Sequence, residues 1–290
     1  MNLHLTYNII NILFHIFKMC GILGYFFKQN NAFDQGQFLN DLNILKKRGP
    51  DHQDFKIEKV NDNKLFLGHT RLSIIELSDL GNQPYFDYNN ILIFNGEIYN
   101  HNKLRNNLNN TIKFKSSSDT ETLFYLLKNN KIDDVLNNIE GMFAFSFFDR
   151  SKNKLYVARD RAGEKPLYLY INKNCFAFAS DLNAIKNNKN NKLTINKEAI
   201  GEYLNTQYIP TPLSIYNECF KLPPASYIEI NLNKYEFRKV SNFNELKKQN
   251  GINYNKWWAL KYNKTIFQNN NYKEVKNNTK KIIEKAVKKQ

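Results

Sequence analysis

The sequence predicts a layered α/β fold whose sheets are covered on both faces. From Cys20 onward, short apolar runs alternate with segments of helical pattern. Several runs, such as GMFAFSFFD at 141–149, are apolar at nearly every position and do not alternate with polar residues. Such strands are buried on both sides, which indicates packed layers and not a sandwich with one wet face. At 290 residues, the chain has room for two domains, or for one large domain and part of another.

The first half of the chain contains three predicted strands and two predicted helices. The strands are CGILGYF (20–26), KLFLGH (64–69) and NILIFNG (90–96), and the first helix is the amphipathic segment 33–45. The second helix, SDTETLFYLLK (118–128), begins with Ser118 and Glu121 at capping-box spacing. Asp119 then falls in the first turn, where a carboxylate meets the positive end of the helix dipole.

The second half begins with four predicted strands, at 141–149, 154–160, 166–171 and 175–180. After residue 205 the sequence becomes richer in proline, and four of the seven prolines lie between 210 and 224. In the tail, Ile282, Ile283, Ala286 and Val287 form an apolar stripe at helical spacing. We therefore divide the chain into a leader or mis-assigned start (1–19), a main domain (20–205), and a linker with the truncated beginning of a second domain (206–290).

Composition and charge exclude several classes of protein. The formal net charge is +15, but the lysines are spread along the chain among many asparagines, without an arginine-rich block, which argues against nucleic-acid binding. Residues 1–18 lack a basic n-region and a small-residue cleavage site, and Asn and His interrupt their apolar run, so neither a signal peptide nor a membrane span is predicted. Three scattered cysteines fit a reducing, cytoplasmic location.

The pair Met19-Cys20 resembles a second start of the chain. If Met19 were the true first residue and were removed, Cys20 would carry a free α-amine beside its thiol. The ordinary pKa values of these groups, about 8 and about 8.5, make proton transfer between them inexpensive, so one residue would supply nucleophile and base. The alternative is a small buried cysteine that opens a strand. We expect a misplaced start codon, then a short propeptide, then a membrane-associated leader, in that order of preference.

Three further motifs have an ordinary structural interpretation when each is taken alone. Arg71 in RLS could be a surface residue at a strand start, and Asn95-Gly96 could be a type I′ hairpin turn. Asp119 could serve only the helix dipole. The order of these motifs along the chain carries more information than any one of them.

That order resembles the class II glutamine amidotransferases, and within them the glutamine-hydrolysing asparagine synthetases. The resemblance covers residues 20 to about 230 and rests on a series of motifs: MCGI (19–22), RGPD (48–51), GHTRLSIIELS (68–78), QPY (83–85), FNGEIYN (94–100), SDTETL (118–123), GMFAFSFFD (141–149), RDRAGEKPLY (159–168) and FASDLNAI (178–185). It implies a four-layer αββα N-terminal-nucleophile hydrolase fold.

The resemblance also implies a role for each candidate residue. Cys20 would attack the side-chain amide of L-glutamine, and Asn95 with the backbone N–H of Gly96 would hold the oxyanion. Arg71 would bind the substrate's α-carboxylate, and Asp119 with Glu97 its α-ammonium. The pocket wall would be formed by Leu72, Ser73, Ile74 and Ile75. No metal or organic cofactor is needed for this half of the reaction.

The remaining residues of these motifs are expected to be structural. Arg48 and Asp51 are assigned to loop architecture near the site, and His69 to a packed, hydrogen-bonded position. Gly96 is expected to let the backbone approach the substrate. Cys175 and Cys219 are expected to be inert.

Two departures from the family leave alternatives open. The leader would block the α-amine of Cys20 if it stayed attached, and no SGGxDS pyrophosphate loop follows, so ATP and Mg²⁺ would belong to a missing synthetase half. The chain is expected to be a glutaminase that serves a synthetase polypeptide in trans or acts within a homodimer. A free-standing glutaminase and an inactive or regulatory glutamine-binding module remain the alternatives.

Overall fold

The computed structural model describes residues 19–28, 34–108, 112–261 and 271–289. The strands of these residues are β1 Gly21–Phe27, β2 His52–Val60, β3 Asn63–Arg71, β4 Tyr85–Phe86, β5 Asn90–Ile98, β6 Gly141–Asp149, β7 Lys154–Arg159, β8 Tyr168–Ile171, β9 Cys175–Ala179, β10 Cys219–Lys221, β11 Ser226–Asn231 and β12 Ile252–Lys256. The helices are α1 Gln35–Ile44, α2 His101–Leu108, α3 Asp119–Asn129, α4 Ile132–Asn138, α5 Leu182–Asn187, α6 Lys197–Thr206, α7 Phe243–Lys247 and α8 Tyr272–Val287. Every strand and helix predicted above is present, with small shifts of its ends.

The strands form two antiparallel six-stranded sheets. The first sheet has the order β10-β8-β9-β1-β3-β2 and the second has the order β12-β11-β7-β6-β5-β4. The central strands β1 and β6 are apolar on both faces because each sheet is covered on both sides.

Three hydrophobic clusters show how the layers stack. The largest lies between the sheets and joins Ile22 and Phe26 of β1 to Ile93 of β5 and Val157 of β7. The second covers the outer face of the first sheet with residues of α1 and α5, and the third covers the outer face of the second sheet with residues of α3 and α4. The order of layers is helix, sheet, sheet, helix, which confirms the four-layer αββα prediction.

Strand register brings the candidate residues to one end of both sheets. In the β1–β3 ladder Gly21 pairs with Thr70, so Cys20, which precedes β1, lies beside Arg71, the last residue of β3. In the second sheet Asn95 and Gly96 pair with Ala144 and Phe143 of β6. Asn-Gly is therefore part of strand β5, and the hairpin-turn alternative is wrong. Arg71 is buried at a strand end, which also excludes a surface position at a strand start.

The structure adds strands that the sequence pattern did not indicate. Strand β2 is charged and half exposed, and β12 is polar, so neither shows an apolar run. Strands β10, β11 and β12, all from the segment predicted as a linker and second-domain start, extend the two sheets through pairing with β8 and β7. Residues 219–256 thus complete the same sheets that carry the candidate site.

The two predicted terminal segments are described to different extents. Residues 1–18 of the predicted leader lie outside the described residues. The predicted tail helix is α8, and its Ile282, Ile283 and Val287 are exposed. Among the helices of the described segments, none combines the length and apolar character that crossing a bilayer requires.

Candidate active site

Cys20 lines a cleft between the ends of the two sheets. Its thiol is held by the backbone of Leu72, whose N–H lies 3.3 Å from Sγ and whose carbonyl lies 3.6 Å from it. Burial raises the pKa of the thiol, while the Leu72 N–H and the positive charges of Lys165 and Arg71 act in the opposite direction. Arg48 donates from Nε to the carbonyl of Cys20 at 3.1 Å, in agreement with a role in loop architecture.

Most of the predicted site residues line this cleft. They are Cys20, Arg71, Leu72, Ile74, Ile75, Asn95, Gly96, Glu97 and Asp119. Within the described part of the chain, Ser73 alone of the predicted set is not in the lining. Its backbone N–H instead donates to Asp51 at 2.7 Å, so this segment of the Arg71 loop is tied to the RGPD motif.

The Asn95 side chain is buried in the cleft wall and only partly satisfied. It is 1% exposed, its Nδ2 lies 3.3 Å from the hydroxyl of Ser180, and its Oδ1 has no partner among the described residues. The Ser180 hydroxyl also accepts from the N–H of Ile22 at 3.1 Å, and its two lone pairs allow both contacts. Nδ2 has a second N–H, for which the described residues supply no acceptor, and Asn95 lines the cleft. Asn95 is therefore suited to hold a developing oxyanion.

Gly96 is required by the neighbouring strand. A Cβ at this position would lie 2.2 Å from the carbonyl oxygen of Met142 and 2.7 Å from Cα of Phe143. A side chain at position 96 would point towards β6. Glycine is therefore needed here for packing against β6, and not, as expected from the sequence, to make room for the substrate.

Arg71 is oriented by the loop that follows it. Its Nη1 donates to the carbonyl of Ser78 at 2.8 Å and to the side chain of Asn82 at 2.7 Å, and its Nη2 donates to the carbonyl of Glu76. Gly81 makes room for the guanidinium, because a Cβ there would lie 2.3 Å from Nη2. In the described structure, Nε and the second N–H of Nη2 remain for an anionic ligand. Their parallel geometry suits a carboxylate.

Asp119 supplies a buried carboxylate at the start of α3. Ser118 caps this helix by accepting from the N–H of Thr120 at 3.1 Å, and Asp119 accepts from the N–H of Ile98 at 2.9 Å. Burial raises the pKa of Asp119 to about 6, the Ile98 contact opposes this, and the nearby charge of Glu97 raises it further. A cation bound beside Asp119 would stabilise the ionised carboxylate and offset the free-energy cost of burying its charge.

Glu121 does not complete the predicted capping box. Its carboxylate turns away from Ser118 and accepts from the backbone N–H groups of Lys115 and Ser116 and from the hydroxyl of Tyr85 at 2.9 Å. The Ser118 cap is confirmed, and the reciprocal contact of Glu121 is wrong. The reason is that residues 115–116 offer it two donors at once.

Glu76 links the two charged ends of the cleft. Its carboxylate accepts from the N–H and hydroxyl of Ser117 at 2.9 and 2.8 Å and from the same groups of Ser78 at 3.0 and 2.7 Å. These bonds lower its pKa to about 2. The loop that orients Arg71 is thus fastened to the loop that precedes Asp119.

Two buried side chains behind the cleft fix the backbone at Phe94, next to Asn95. Gln83 accepts from the N–H of Phe94 at 2.7 Å and donates to its carbonyl at 3.1 Å, as a neighbouring strand would. His69 lies 3.1 Å from the same carbonyl, and burial lowers its pKa to about 3, so the neutral ring donates from Nε2. The packed, hydrogen-bonded position expected for His69 is confirmed.

Burial raises the pKa values of Cys175 and Cys219, which agrees with inert thiols.

Sequence reasoning did not assign Glu76, Gln83 or Lys165 to the site, although all three line the cleft. Each lies within a motif quoted above, but the motif alone does not distinguish a lining residue from its neighbours.

The four-layer fold brings a thiol, an amide donor and two opposite charges together in one cleft. The family model for the glutamine amidotransferase domain matches residues 19–243. The chain belongs to the glutamine amidotransferase family.

Comparisons with individual proteins agree with this assignment. The chain is 35% identical over 242 residues to a protein of Methanocaldococcus jannaschii named putative asparagine synthetase (glutamine-hydrolyzing) 2, covering 76% of this chain and 46% of that protein. It is 34% identical over 218 residues to asparagine synthetase (glutamine-hydrolyzing) 1 of Bacillus subtilis, covering 73% of this chain and 33% of the relative. The chain thus spans less than half the length of these two relatives.

A solved structure shows the same fold at low identity. The glutamine phosphoribosylpyrophosphate amidotransferase of B. subtilis matches with a TM-score of 0.55 and 18% identity, over 83% of this chain and 50% of that one.

Proposed function

We propose that this chain hydrolyses L-glutamine to glutamate and ammonia through a thioester on Cys20. The observation that carries the proposal is the cleft itself, where Arg71 and Asp119 present opposite charges and Cys20 and Asn95 lie in the same lining. Free amino acids carry an α-carboxylate and an α-ammonium, and this pair of charges matches both. The cleft is therefore complementary to an amino acid whose side chain reaches a nucleophile.

In the proposed reaction the thiol proton of Cys20 passes to its own α-amine, and the thiolate attacks the side-chain amide carbon of glutamine. Asn95 and the N–H of Gly96 donate to the oxyanion, a contribution of about 10²- to 10³-fold in rate for one donor. The C–N bond then breaks, the amine returns its proton to the leaving nitrogen, and ammonia departs. Water attacks the thioester, which gives glutamate and restores the thiol.

This mechanism requires a free α-amine, so we propose that residues 1–19 are absent from the active form. The described chain holds Met19 through its N–H, which donates to the carbonyl of Arg48 at 3.0 Å. The carbonyl of Cys20 is held separately by Arg48 Nε, so the thiol's surroundings do not depend on Met19 alone.

The ammonia is proposed to serve the amidation of aspartate by a synthetase polypeptide in trans, or within a homodimer, in a reducing cytoplasm. The names of the relatives support this use, as do the exposed Ile282, Ile283 and Val287 of α8, which offer an apolar contact. ATP and Mg²⁺ would act in that synthetase part, and the glutaminase step itself uses no metal or cofactor.

The first experiment is the N-terminal sequence and intact mass of the protein purified from its host, followed by glutaminase assays. A chain that begins at Cys20 and releases ammonia from glutamine supports the proposal. Cys20→Ala should abolish turnover, while Cys175→Ala, a matched buried cysteine, should retain it. A chain that retains residues 1–19 and binds glutamine without turnover would instead indicate the regulatory binding module.

Asn95→Ala provides a separate test of the oxyanion assignment. It should lower kcat about 10²- to 10³-fold and leave KM nearly unchanged, because the oxyanion forms only in the transition state. A rise in KM with kcat intact would show that Asn95 binds substrate and does not stabilise the oxyanion.

A further inference from the structure

Lys165 is a buried cation in the cleft that the proposed reaction does not use. It is 5% exposed, lines the cleft with Cys20, and its Nζ lies 3.0 Å from Sδ of Met19. Among the described residues, no carboxylate forms an ion pair with it. Because a thioether is only a weak hydrogen-bond acceptor, this contact does not repay the burial of an ammonium group.

The loop that carries Lys165 is fixed from both sides. The carboxylate of Asp160, fully buried, accepts from three backbone N–H groups of the loop at 2.9–3.0 Å, those of Ala162, Glu164 and Lys165. The guanidinium of Arg159 donates to three carbonyls at 2.6–2.7 Å, those of Gly163, Lys165 and Leu222. These hydrogen bonds of Asp160 and Arg159 fix the backbone of the loop, so the fold itself determines where Lys165 lies.

We propose that Lys165 is a positioning residue whose ammonium stabilises the Cys20 thiolate, most strongly when Met19 is absent. Its role in turnover rests on the function proposed above, whereas its effect on the thiol does not. An opposite charge within about 4–6 Å favours the ionised form of a group. Once Met19 leaves, Lys165 loses its thioether contact and keeps Cys20 as a neighbour in the cleft lining.

Other charges around the pair set the size of the effect. Arg71 also favours the thiolate, and Asp119 opposes it. On the lysine side, burial lowers the pKa of Lys165 and Arg48 lowers it further, while the Cys20 thiolate, Glu164 and Asp160 raise it. When glutamine is bound, its α-carboxylate would pair with Arg71, whereas no group of the substrate would pair with Lys165.

The test is the rate of Cys20 alkylation by iodoacetamide in the full chain from pH 6 to 11, followed by peptide mass spectrometry. Cys175 and Cys219 are 1% exposed, so the label reports Cys20. Lys165→Met should move the midpoint of the rate profile up by about one pH unit and slow alkylation about tenfold at pH 7. Lys165→Arg, which keeps the charge, should stay within about twofold of wild type. Lys221→Met, a half-buried lysine outside the cleft, is the control.

An unchanged midpoint in Lys165→Met would overturn the proposal. So would equal slowing of both Lys165 variants at every pH, because that pattern indicates packing and not charge. Thermal unfolding confirms that each variant is folded, and Lys165→Gln replaces the methionine variant if that one is not. Because the assay reads the thiol and not turnover, a midpoint shift in a chain that fails to hydrolyse glutamine would refute the proposed function alone.

Discussion

Replacing Asp119 with asparagine should make the protein more stable and its substrate binding weaker. Asp119 is 5% exposed, and burial raises its pKa from 3.8 to about 6. This pKa difference between the unfolded and the folded state lowers the free energy of unfolding at pH 7 by at most about 3 kcal/mol. Asparagine keeps an oxygen to accept from the N–H of Ile98 and removes the buried charge. We therefore expect Asp119→Asn to raise the free energy of unfolding by about 1–3 kcal/mol at pH 7.

The pH dependence gives this prediction a definite sign. Between pH 3.8 and about 6 the native state binds more protons at Asp119 than the unfolded state does, so the wild-type protein loses stability as pH rises through this window. Asp119→Asn has no carboxylate at this position, so its stability does not fall in this way as the pH rises. The stability difference between the two proteins should be near zero at pH 4 and reach its full size by pH 7.

Urea unfolding of both proteins at pH 4, 5, 6 and 7 measures this difference, with Asp62→Asn at an exposed turn as the matched control. In parallel, loss of the partner for the α-ammonium should raise KM for glutamine at least about thirtyfold, since removal of one partner of a buried charge pair costs about 2–5 kcal/mol. Stability curves that run parallel from pH 4 to 7, or a variant less stable at pH 7, would refute the reasoning.

Four further predictions follow from the same contacts. The kcat/KM for glutamine should fall by an additional tenfold per pH unit below about pH 6, as Asp119 becomes protonated, and steady-state assays of Asp119→Asn should lack this additional fall and show only the titration of the Cys20 α-amine. Gly96→Ala should destabilise the protein by about 3 kcal/mol or more, seen in urea unfolding, because its Cβ would lie 2.2 Å from the Met142 carbonyl. Gln83→Glu should lower kcat about tenfold, since a carboxylate oxygen would replace the donor 3.1 Å from the Phe94 carbonyl, whereas a kcat equal to wild type would show that Asn95 needs no such support. Glu76→Gln should raise KM by weakening the link to Ser117, and a KM unchanged in the same assays would show that the loop is held by Arg71 alone.

The sequence predicted the layers because their strands are apolar over their whole length. It did not predict β2, whose exposed edge position permits a charged sequence, or β12, whose residues are polar. The apolar run predicted Asn95-Gly96 as the end of a strand, but the dipeptide taken alone left a hairpin turn open as an alternative. In that case the sheet partner, and not the dipeptide, decides the conformation.

Site residues with a distinctive chemistry were easier to predict than those that support them. A cysteine after methionine, an arginine and a helix-start aspartate suggest their own roles. Lys165 and Gln83 act through neighbours that only the folded chain provides, one across the cleft from Cys20 and the other across 11 residues from Phe94. A single sequence contains no signal for such pairs.

The β1–β3 register has a consequence for how this protein can change over time. Side chains of a strand alternate between faces, so a shift of one residue would turn Arg71 away from Cys20 and invert the core on both sides. No register lies between these two, so a single insertion or deletion within either strand should abolish the site. Length changes are tolerable at the exposed β2–β3 turn, around Asn61 and Asp62, where they leave the β1–β3 pairing intact. Gradual adaptation of this cleft is thus confined to substitutions.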